Sequence, residues 1–565
     1  MPESVLQLDS RDNVLVALVA LSTGTTVQNG GTICEVTENI PAKHKLAMTD
    51  LAPGDVVRMY GVIVGEATAP IPRGGLLSIN NVRHRASTYS TARQPVSHAV
   101  PDSAHWAART FMGYHRADGQ IGTRNYWIVL PLVFCENRNV QRLQEAFEEE
   151  LGYSGERNAY RQQVRTLVGR YATCSRPTAT VTEREDSTTE TARDLGQPPQ
   201  THCNKLRQKR IFPNIDGIRF LTHEGGCGGT RQDAQALCGL LAGYIHHPNV
   251  AGATVLSLGC QNAQVSMLMS ELRARDPELR KPVLLLDQQS SGRESTLMRR
   301  AIGKTFDGLV EANRAARTPT LLSALTIALQ CGGSDGFSGI SANPTLGYVS
   351  DVIGGLGGKS ILSEFPELHG VEQELINRCE SDELAQRFSQ LMQTYAARAK
   401  AVDSGFDFNP SPGNIRDGLI TDAIKSAGAA RKGGVGTIRG VLDYPDYVAV
   451  RGLNLQCTPG NDVESVTAQV GAGANLVLFT TGLGTPTGNP IAPVVKVSSN
   501  SALAERMDDI IDFDTGGIVT GETDVPTTAE NLLELCVEVA SGERFTKAEL
   551  FNQNDFIPWK RGISL

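Results

Sequence analysis

Residues 325–344 read Leu-Thr-Ile-Ala-Leu-Gln-Cys-Gly-Gly-Ser-Asp-Gly-Phe-Ser-Gly-Ile-Ser-Ala-Asn-Pro. The apolar run at the start of this stretch is typical of a buried β-strand. The loop that follows, from Cys331 to Asn343, interleaves a thiol, a carboxylate and several hydroxyl groups with glycines. Small residues let the backbone approach a ligand closely. The stretch therefore predicts a strand that ends in a binding loop for a polyhydroxylated ligand or a metal.

Similar apolar runs recur from residue 121 onward and alternate with helical patterns. Strands that alternate with helices indicate mostly parallel sheets covered on both faces. We therefore predict an α/β fold for this part of the chain. The other candidate strands are Tyr126–Phe134, Gly217–Thr222, Ala253–Leu258, Val283–Leu286, Ser360–Leu362, Tyr447–Val450, Leu476–Phe479 and Val494–Val497.

Five of these candidate strands run directly into clusters of Gly, Cys and acidic residues. In open α/β sheets, ligands bind beyond the carboxyl ends of the strands. We therefore expect the five clusters to meet in one crevice. They begin at Phe134-Cys135-Glu136, His223-Glu224-Gly225, Gly259-Cys260-Gln261, Cys331-Gly332-Gly333 and Ser363-Glu364-Phe365.

The chain length of 565 residues predicts several domains. Short apolar runs with closely spaced glycines predict a small β-rich module over residues 1–88. Residues 89–112 are predicted to be a linker, 113–405 a central α/β domain with a polar insertion at 155–210, and 406–565 a C-terminal α/β domain. No internal repeat is apparent.

Composition excludes several classes of protein. The formal net charge of −8 provides no basic face for nucleic acid. The N-terminus has no cleavable apolar segment, and its first apolar run, Val14 to Leu21, is too short to span a membrane. Eleven cysteines without an export signal predict reduced thiols. We therefore predict a cytoplasmic protein with no nucleic-acid or membrane partner, and the sequence leaves a homo-oligomer open.

Motifs spread over residues 12 to about 490 resemble those of the altronate and galactarate dehydratase family, in the same order. The resemblance covers nearly the whole chain. The matching pieces include Pro41-Ala-Lys-His-Lys45, Gly113-Tyr-His-Arg-Ala-Asp-Gly119, Gly122-Thr-Arg-Asn125, the Cys331 loop, Ser363-Glu-Phe-Pro-Glu367, Asn409-Pro-Ser-Pro-Gly-Asn414, Pro459-Gly-Asn-Asp462 and Phe479-Thr-Thr-Gly-Leu-Gly-Thr-Pro486.

This resemblance implies an N-terminal β-clip domain of the SAF type and an iron(II)-dependent β-elimination of water from a sugar acid. The product would be a 2-keto-3-deoxy sugar acid. The altronate branch looks nearer than the galactarate branch, which remains the alternative substrate class. A non-catalytic sugar-acid-binding protein is the alternative outside enzymes. The chain departs from the family pattern at Gln261, where many relatives have Glu, and at Ala429, where altronate-type relatives often have Cys.

Elimination of water next to a carboxylate requires a base, a proton donor and charge stabilisation. His44 lies between two lysines on a turn and is a candidate base or carboxylate trap, and His223 stands beside the Cys227 loop. Carboxylates at strand ends are candidates for proton transfer or metal binding. The predicted catalytic residues are His44, Lys45, His223, Asp335 and Glu364.

Cysteines at four predicted strand ends are candidate metal ligands. Iron(II) accepts thiolate, imidazole and carboxylate ligands. The wide gaps between the cysteines match no ferredoxin spacing, so a mononuclear Fe2+ site and an iron–sulfur cluster both stay open. The predicted metal ligands are Cys135, Cys227, Cys260 and Cys331.

Cations and hydrogen-bonding residues within the motifs are candidates for substrate binding. An arginine would hold a carboxylate through two parallel hydrogen bonds. The predicted substrate-binding residues are Lys43, Arg124, Ser334, Ser338, Asn343, Asn414, Asn461, Asp462, Thr481, Thr485 and Lys496.

Overall fold

The computed structural model describes residues 4–29, 32–96, 98–153, 163–169, 210–406, 409–562 and 564. The predicted polar insertion at 155–210 lies outside the described residues, apart from 163–169 and residue 210. No helix within the described ranges combines the length and the hydropathy that a membrane span needs.

The N-terminal part consists of short antiparallel strands joined by tight turns. Its sheets have the strand orders β1-β2-β5-β8, β3-β4 and β6-β7-β9. The strands are β1 (Val5–Leu6), β2 (Val14–Ala17), β3 (Thr26–Asn29), β4 (Thr32–Glu35), β5 (Lys45–Ala47), β6 (Val56–Met59), β7 (Val62–Ala67), β8 (Leu76–Leu77) and β9 (Val82–Arg83).

A small antiparallel sheet, β11-β10-β16, follows the N-terminal part. Its strands are β10 (Thr110–His115), β11 (Ile121–Gly122) and β16 (Arg317–Leu321). Because β10 begins at Thr110, this strand starts inside the segment predicted as a linker, residues 89–112.

The next region contains a parallel four-stranded sheet of order β13-β12-β14-β15. The central strand β12 is buried along its whole length, as its continuous apolar sequence predicts. The strands are β12 (Tyr126–Pro131), β13 (Gly217–Phe220), β14 (Val250–Ser257) and β15 (Val283–Asp287). The helices are α1 (Asn137–Glu150), α2 (Arg231–His246), α3 (Val265–Arg275), α4 (Gln288–Ser291) and α5 (Glu294–Ala312).

The largest sheet is parallel and seven-stranded, with the order β19-β20-β18-β17-β21-β22-β23. Its strands are β17 (Thr326–Cys331), β18 (Lys359–Leu362), β19 (Ile438–Leu442), β20 (Gly452–Gln456), β21 (Leu476–Thr481), β22 (Val494–Ser498) and β23 (Phe513–Asp514). The helices of this region are α6 (Ala342–Gly355), α7 (Glu372–Arg378), α8 (Asp382–Lys400), α9 (Pro412–Arg416), α10 (Asp422–Ala430), α11 (Asp462–Gly471), α12 (Ser501–Arg506), α13 (Gly516–Thr520), α14 (Val525–Ala540) and α15 (Lys547–Leu550).

The predicted fold class is confirmed, because small antiparallel sheets precede α/β regions built on parallel sheets. The boundary predicted between residues 405 and 406 needs correction. Strand β18 pairs with β20, and β17 pairs with β21, so hydrogen-bonded ladders join the segments on both sides of that boundary in one sheet.

The candidate strand Tyr447–Val450 is also corrected. Its backbone is irregular, and Val448 N donates its hydrogen bond to Ala472 O after helix α11 instead of to a neighbouring strand. The apolar side chain of Val448 is nevertheless buried, which explains why the run looked like a strand. The real strands lie on both sides of it, as β19 and β20.

Candidate active site

A thiol and two carboxylates meet at the carboxyl ends of β17 and β18, and we call this group the Cys331 centre. Cys331 is the last residue of β17, while Glu364 and Glu367 belong to the turn that follows β18. The Cys331 sulfur lies 3.5 Å from Glu367 Oε2 and 4.0 Å from Glu364 Oε2. One ligand atom from each residue lies within 4.8 Å of the others, and all three residues are buried. The group has the spacing and chemistry of a metal-ligand set.

Two lysines, one buried and one partly exposed, neutralise the Cys331 centre. Lys432 Nζ lies 2.8 Å from the Cys331 sulfur and 3.3 Å from Glu364 Oε2. Lys425 Nζ donates to Glu367 Oε1 at 2.7 Å and to Asn409 Oδ1 at 2.8 Å. Lys425 keeps 11% of its side chain exposed, whereas Lys432 keeps 1%. Lys425 is therefore the ammonium nearer to solvent.

Burial and mutual repulsion separate the pKa values of the two glutamates. Burial raises the pKa of Glu364, and the charge of Glu367 raises it further. Burial also raises the pKa of Glu367, but Lys425 and Lys432 outweigh this effect and leave that pKa below its usual value. Burial raises the pKa of the Cys331 thiol to about 12. Without a metal, Cys331 is therefore a thiol and Glu367 is the ionised carboxylate.

Glu364 also carries two signs of a functional position. Its backbone has φ of 65°, in the left-handed region that a residue with a side chain rarely adopts. Its buried Oε1 atom has no hydrogen-bond partner among the described residues. A buried carboxylate oxygen normally has a partner, so this atom is placed to receive a ligand.

Asp462 begins helix α11 beside the same centre. Its carboxylate has neither a hydrogen bond nor an ion pair within the part of the chain that the structure describes. A β-carbon added at Gly332 would lie 2.2 Å from Asp462 Oδ2, so only a glycine lets the Cys331 loop pass this carboxylate. Burial raises the pKa of Asp462 to about 6, and Glu367 adds to the effect. Asp462 is an unpartnered carboxylate that titrates close to neutral pH.

Asp335, predicted to be catalytic, is instead saturated with donors. Its Oδ1 atom accepts hydrogen bonds from the backbone N–H groups of Phe337 and Ser338 and from the hydroxyls of Ser338 and Ser499. Its Oδ2 atom accepts from Asn500 Nδ2 and pairs with Lys43 Nζ at 3.0 Å. Because both oxygens are occupied, the geometry favours an anchoring role for Asp335.

The predicted cluster Lys43-His44-Lys45 packs against residues 416–418 of the C-terminal region. Lys43 Nζ bridges Asp335 and Asp417, the latter at 2.8 Å. His44 Nε2 lies 3.1 Å from Arg416 O, and its Nδ1 atom is buried without a partner among the described residues. Burial lowers the pKa of Lys45 to about 7, while its Nζ donates to two backbone carbonyls. The cluster joins the N-terminal part to the Cys331 loop.

His223, predicted to be catalytic, and Arg124, predicted to bind substrate, both use their side-chain nitrogens in hydrogen bonds within the protein. His223 Nε2 donates to Pro131 O at 2.8 Å and its Nδ1 accepts from Gly225 N, and burial lowers its pKa to about 4. Arg124 is buried and makes two hydrogen bonds to Glu549, at 2.6 and 2.9 Å. Neither side chain keeps a free group for substrate.

Several predicted substrate-binding residues hold backbone segments together. Ser338 supports Asp335, and Asn343 bridges Gly428 O and the Thr480 hydroxyl. Asn414 Nδ2 donates to Ser334 O, Asn461 caps α11, and the Thr481 hydroxyl accepts from Gly484 N. The Thr485 hydroxyl lies against Gly333, where it would be 3.0 Å from an added β-carbon. Lys496 donates to Gln553 Oε1, and burial lowers its pKa to about 8.

The four predicted metal-binding cysteines do not form one group. Cys331 is buried with Glu364 and Glu367, whereas Cys135, Cys227 and Cys260 are exposed. These three cysteines follow strands of the four-stranded sheet, and Cys331 follows a strand of the seven-stranded sheet. The strand ends belong to two different sheets, so no single sheet edge brings them together, and the crevice that would join all five clusters stays a prediction.

Sequence reasoning missed Glu367, Lys425, Lys432 and Asn409. Glu367 ends the motif Ser363-Glu-Phe-Pro-Glu367, three residues after Glu364, and Asn409 begins the motif Asn409-Pro-Ser-Pro. The lysines lie in Ala- and Gly-rich helical sequence that gives no sign of burial. A residue's ionic partners depend on which helices pack together, and no local pattern encodes that.

A second potential ligand group lies between the N-terminal part and the C-terminal region. One atom each from His84, His369 and Asp422 lies within 4.8 Å of the others. His369 Nδ1 also contacts Glu372 Oε1 at 2.9 Å. Two histidines and one carboxylate also suit iron(II), so two candidate metal positions exist within the described residues.

Three family models match consecutive parts of the chain. Residues 3–85 match the altronate/galactarate dehydratase SAF domain, and residues 113–313 match the second domain of D-galactarate dehydratase/altronate hydrolase. Residues 322–564 match the C-terminal domain of D-galactarate/altronate dehydratase. The last match begins just before β17, which agrees with the extent of the seven-stranded sheet.

Full-length relatives support the same assignment. The chain is 31% identical to altronate dehydratase of Escherichia coli over 562 residues, or 99% of both chains. It is 30% identical to altronate dehydratase of Bacillus subtilis over the whole of both chains. Galactarate dehydratase (L-threo-forming) of Escherichia coli is 29% identical over 96% of this chain and 93% of the relative.

The buried acid–base centre and these relatives define a hydro-lyase. The chain belongs to the altronate/galactarate dehydratase family, which confirms the resemblance seen in its motifs.

Proposed function

We propose that this enzyme dehydrates D-altronate to 2-keto-3-deoxy-D-gluconate at the Cys331 centre. The two relatives named altronate dehydratase, matched over nearly their whole length, support the substrate. The observation that carries the site is the Asp462 carboxylate, which has no partner among the described residues and lies beside the ammonium groups of Lys425 and Lys432. This pairing of a base with fixed positive charge suits removal of a proton next to a carboxylate.

In this proposal Asp462 takes the proton from C2 of the substrate. Its pKa of about 6 leaves it ionised at neutral pH and still basic enough to accept a proton. The electron pair of the broken C2–H bond forms the C2=C3 double bond, and the C3–O bond breaks. Lys425 donates a proton to the leaving hydroxyl, which departs as water, and solvent can restore this proton because Lys425 is partly exposed. The resulting enol becomes the 2-keto acid.

Lys432 has a different part in the proposed reaction. Burial lowers the pKa of Lys432, but the contacts with Cys331 and Glu364 and the charge of Glu367 together raise it above its usual value, so the ammonium stays charged. A fixed ammonium group in a buried site stabilises the charge that builds on the substrate carboxylate after proton removal. Because its position is set before substrate binds, little reorganisation is needed.

The Cys331 centre fits Fe2+. It offers one thiol and two carboxylates, and the unpaired Glu364 Oε1 is the kind of buried atom that a metal would satisfy. Bound there by Cys331, Glu364 and Glu367, iron(II) would act as a Lewis acid toward the substrate carboxylate. Metal binding requires deprotonated ligands, so the raised pKa values of Cys331 and Glu364 make occupancy dependent on pH.

Iron retention should separate the two candidate metal positions. Glu364→Gln, which keeps the side-chain volume, should bind at least ~10-fold less of the iron that is not accompanied by sulfide, as expected when a contact around the metal is lost. His369→Gln should retain this iron, and exhaustive chelation should abolish turnover of the parent. Iron in excess of acid-labile sulfide is measured per chain after anaerobic purification. Loss of iron in His369→Gln but not in Glu364→Gln would move the metal to the histidine group.

Substrate choice is tested with a panel of sugar acids assayed for 2-keto product. We expect the highest kcat/KM with D-altronate. Galactarate is the second candidate, because a galactarate dehydratase is related over nearly the full chain. A higher kcat/KM with galactarate or another aldarate would replace the proposed substrate and keep the elimination chemistry.

We further propose that the enzyme works in the cytoplasm. All nine cysteines that the structure describes are free, and a reducing compartment favours free thiols. A homo-oligomer stays a prediction, which light scattering of the purified protein tests.

A further inference from the structure

Three exposed cysteines stand apart from the other thiols of the chain. Cys135, Cys227 and Cys260 are exposed, although free cysteine is among the most frequently buried residue types. Exposed thiols are prone to oxidation, so three of them at one place require an explanation. The remaining free cysteines that the structure describes are all buried: Cys34, Cys238, Cys331, Cys379, Cys457 and Cys536.

Sheet topology brings the three exposed cysteines to one edge. Cys135, Cys227 and Cys260 follow β12, β13 and β14, and β12 is the central strand of these three. All three strands are parallel, so their carboxyl ends lie along the same side of the sheet. Three chain segments far apart in sequence therefore deliver one thiol each to the same edge.

Hydrogen bonds tie the three cysteine-bearing loops to each other. Phe134 N, next to Cys135, donates to Gly225 O at 3.1 Å. Asn262 N, two residues after Cys260, donates to Gly226 O at 2.9 Å. The Cys227 sulfur lies 3.9 Å from Asn262 Oδ1. The segment around Cys227 thus contacts the other two loops within two residues of each cysteine.

Two glycines with a left-handed backbone shape the cysteine-bearing loops. Gly226 has φ of 99°, and a β-carbon there would lie 2.1 Å from Leu132 O, so only glycine lets the Cys227 loop approach the end of β12 this closely. Gly259, directly before Cys260, has φ of 119°, a conformation that a residue with a side chain rarely adopts.

Buried polar side chains fix the same loops from behind. The two ring nitrogens of His223 bond to Pro131 O and Gly225 N, which holds the start of the Cys227 loop against the end of β12. Gln261 is buried; its Oε1 accepts from Gly259 N and its Nε2 donates to the Ser257 hydroxyl. The loops are therefore preorganised, which is a property of ligand-binding sites.

We propose that Cys135, Cys227 and Cys260 bind an iron–sulfur cluster, as a centre distinct from the Cys331 centre. Thiolates select zinc, copper(I) or iron–sulfur clusters. A mononuclear zinc site needs sulfurs about 3.8 Å apart, given tetrahedral ligands at ~2.3 Å from the metal. Among the described residues, two groups of potential metal ligands have their ligand atoms within 4.8 Å of one another, and neither group contains these three cysteines. The three sulfurs therefore do not all lie within 4.8 Å of one another. A cluster accepts wider spacing, since each thiolate binds a different iron.

The inference is tested by anaerobic reconstitution of the full chain with ferrous iron and sulfide. We expect the parent to bind iron and acid-labile sulfide together and to gain a visible sulfur-to-iron charge-transfer band. Cys135→Ser, Cys227→Ser and Cys260→Ser should each lose at least half of the bound sulfide, and the triple variant nearly all of it. Cys238→Ala, a buried thiol on α2 of the same domain, is the matched control and should retain it.

The amount of acid-labile sulfide bound per chain decides the outcome. Bound iron alone does not, because a mononuclear iron at the Cys331 centre would add iron without sulfide. Binding of zinc or of iron without sulfide would overturn the proposal, as would sulfide retained in the triple variant. Asp462→Asn should keep the cluster even where turnover is lost. A failure of the proposed reaction can therefore be told apart from a failure of the cluster proposal. Thermal unfolding of each variant shows that the chain is folded when metal is assayed.

Discussion

Asp462→Asn should lower kcat at least ~100-fold, the usual size of a general-base contribution, while the thermal midpoint changes little. The substitution removes the ionisable oxygen and preserves the volume. Stability should be nearly unchanged because the carboxylate has no hydrogen bond or ion pair to lose within the described residues. Steady-state kinetics and thermal unfolding on the same preparation measure both quantities.

Glu464→Gln is the matched control for this prediction. Glu464 stands two residues further along the same helix, and burial also raises its pKa. Its substitution should leave kcat within about twofold, because none of the hydrogen bonds or ion pairs that the described residues make with the Cys331 centre involves Glu464. Equal losses in both variants would mean that the start of α11 matters for structure, and would contradict the assignment of Asp462 as base.

The pH profile provides an independent check on the base. Asp462 acts in its ionised form, so kcat/KM should fall as the pH drops through the pKa of about 6. In Asp462→Asn the residual activity should lose this acidic limb. An acidic limb that persists unchanged in the variant would assign the titration to another group.

The sequence predicts the sheets better than the site. Runs such as Leu476–Phe479 and Val494–Val497 are buried on both faces, and continuous hydrophobicity is a local property that survives into the fold. Strand order is not local. The ends of β12 and β17 looked alike in sequence, with a cysteine at or just after each strand, but they belong to different sheets.

Side-chain roles in the centre depend on partners that sequence does not display. Asp335 and Asp462 are both carboxylates in loop motifs of the sequence, yet Asp335 is saturated by donors and Asp462 accepts no hydrogen bond from the residues that the structure describes. Likewise, Lys432 reads as a surface lysine between Arg431 and two glycines, but it is buried. The turn that follows α10 packs against β17 and β18, and this tertiary contact buries Lys432.

Asp335→Asn should lower the free energy of unfolding by about 3–5 kcal/mol, the cost of breaking a buried ion pair by removing one partner. Lys43 Nζ pairs with Oδ2 at 3.0 Å, and the Asp335 side chain is fully buried. Four donors already point at Oδ1. The new amide N–H₂ group must therefore take the place of Oδ2. There it faces Asn500 Nδ2 and Lys43 Nζ, which are also donors, so neither of these groups keeps an acceptor at this position.

Turnover of the folded Asp335→Asn fraction should stay within about tenfold of the parent, since Asp335 has no free oxygen for substrate or metal. Asp417→Asn is the matched control: Asp417 is the other partner of Lys43 but is partly exposed, and exposed pairs contribute about 0–1 kcal/mol. Chemical denaturation of both variants measures the difference. A fully stable Asp335→Asn enzyme with kcat reduced ~100-fold would restore the catalytic role that the sequence suggested. The donors around Asp335 argue against that outcome. Its carboxylate accepts from six donor groups, so it could accept a proton from substrate only if some of these hydrogen bonds, which hold the loop after Cys331, were broken first.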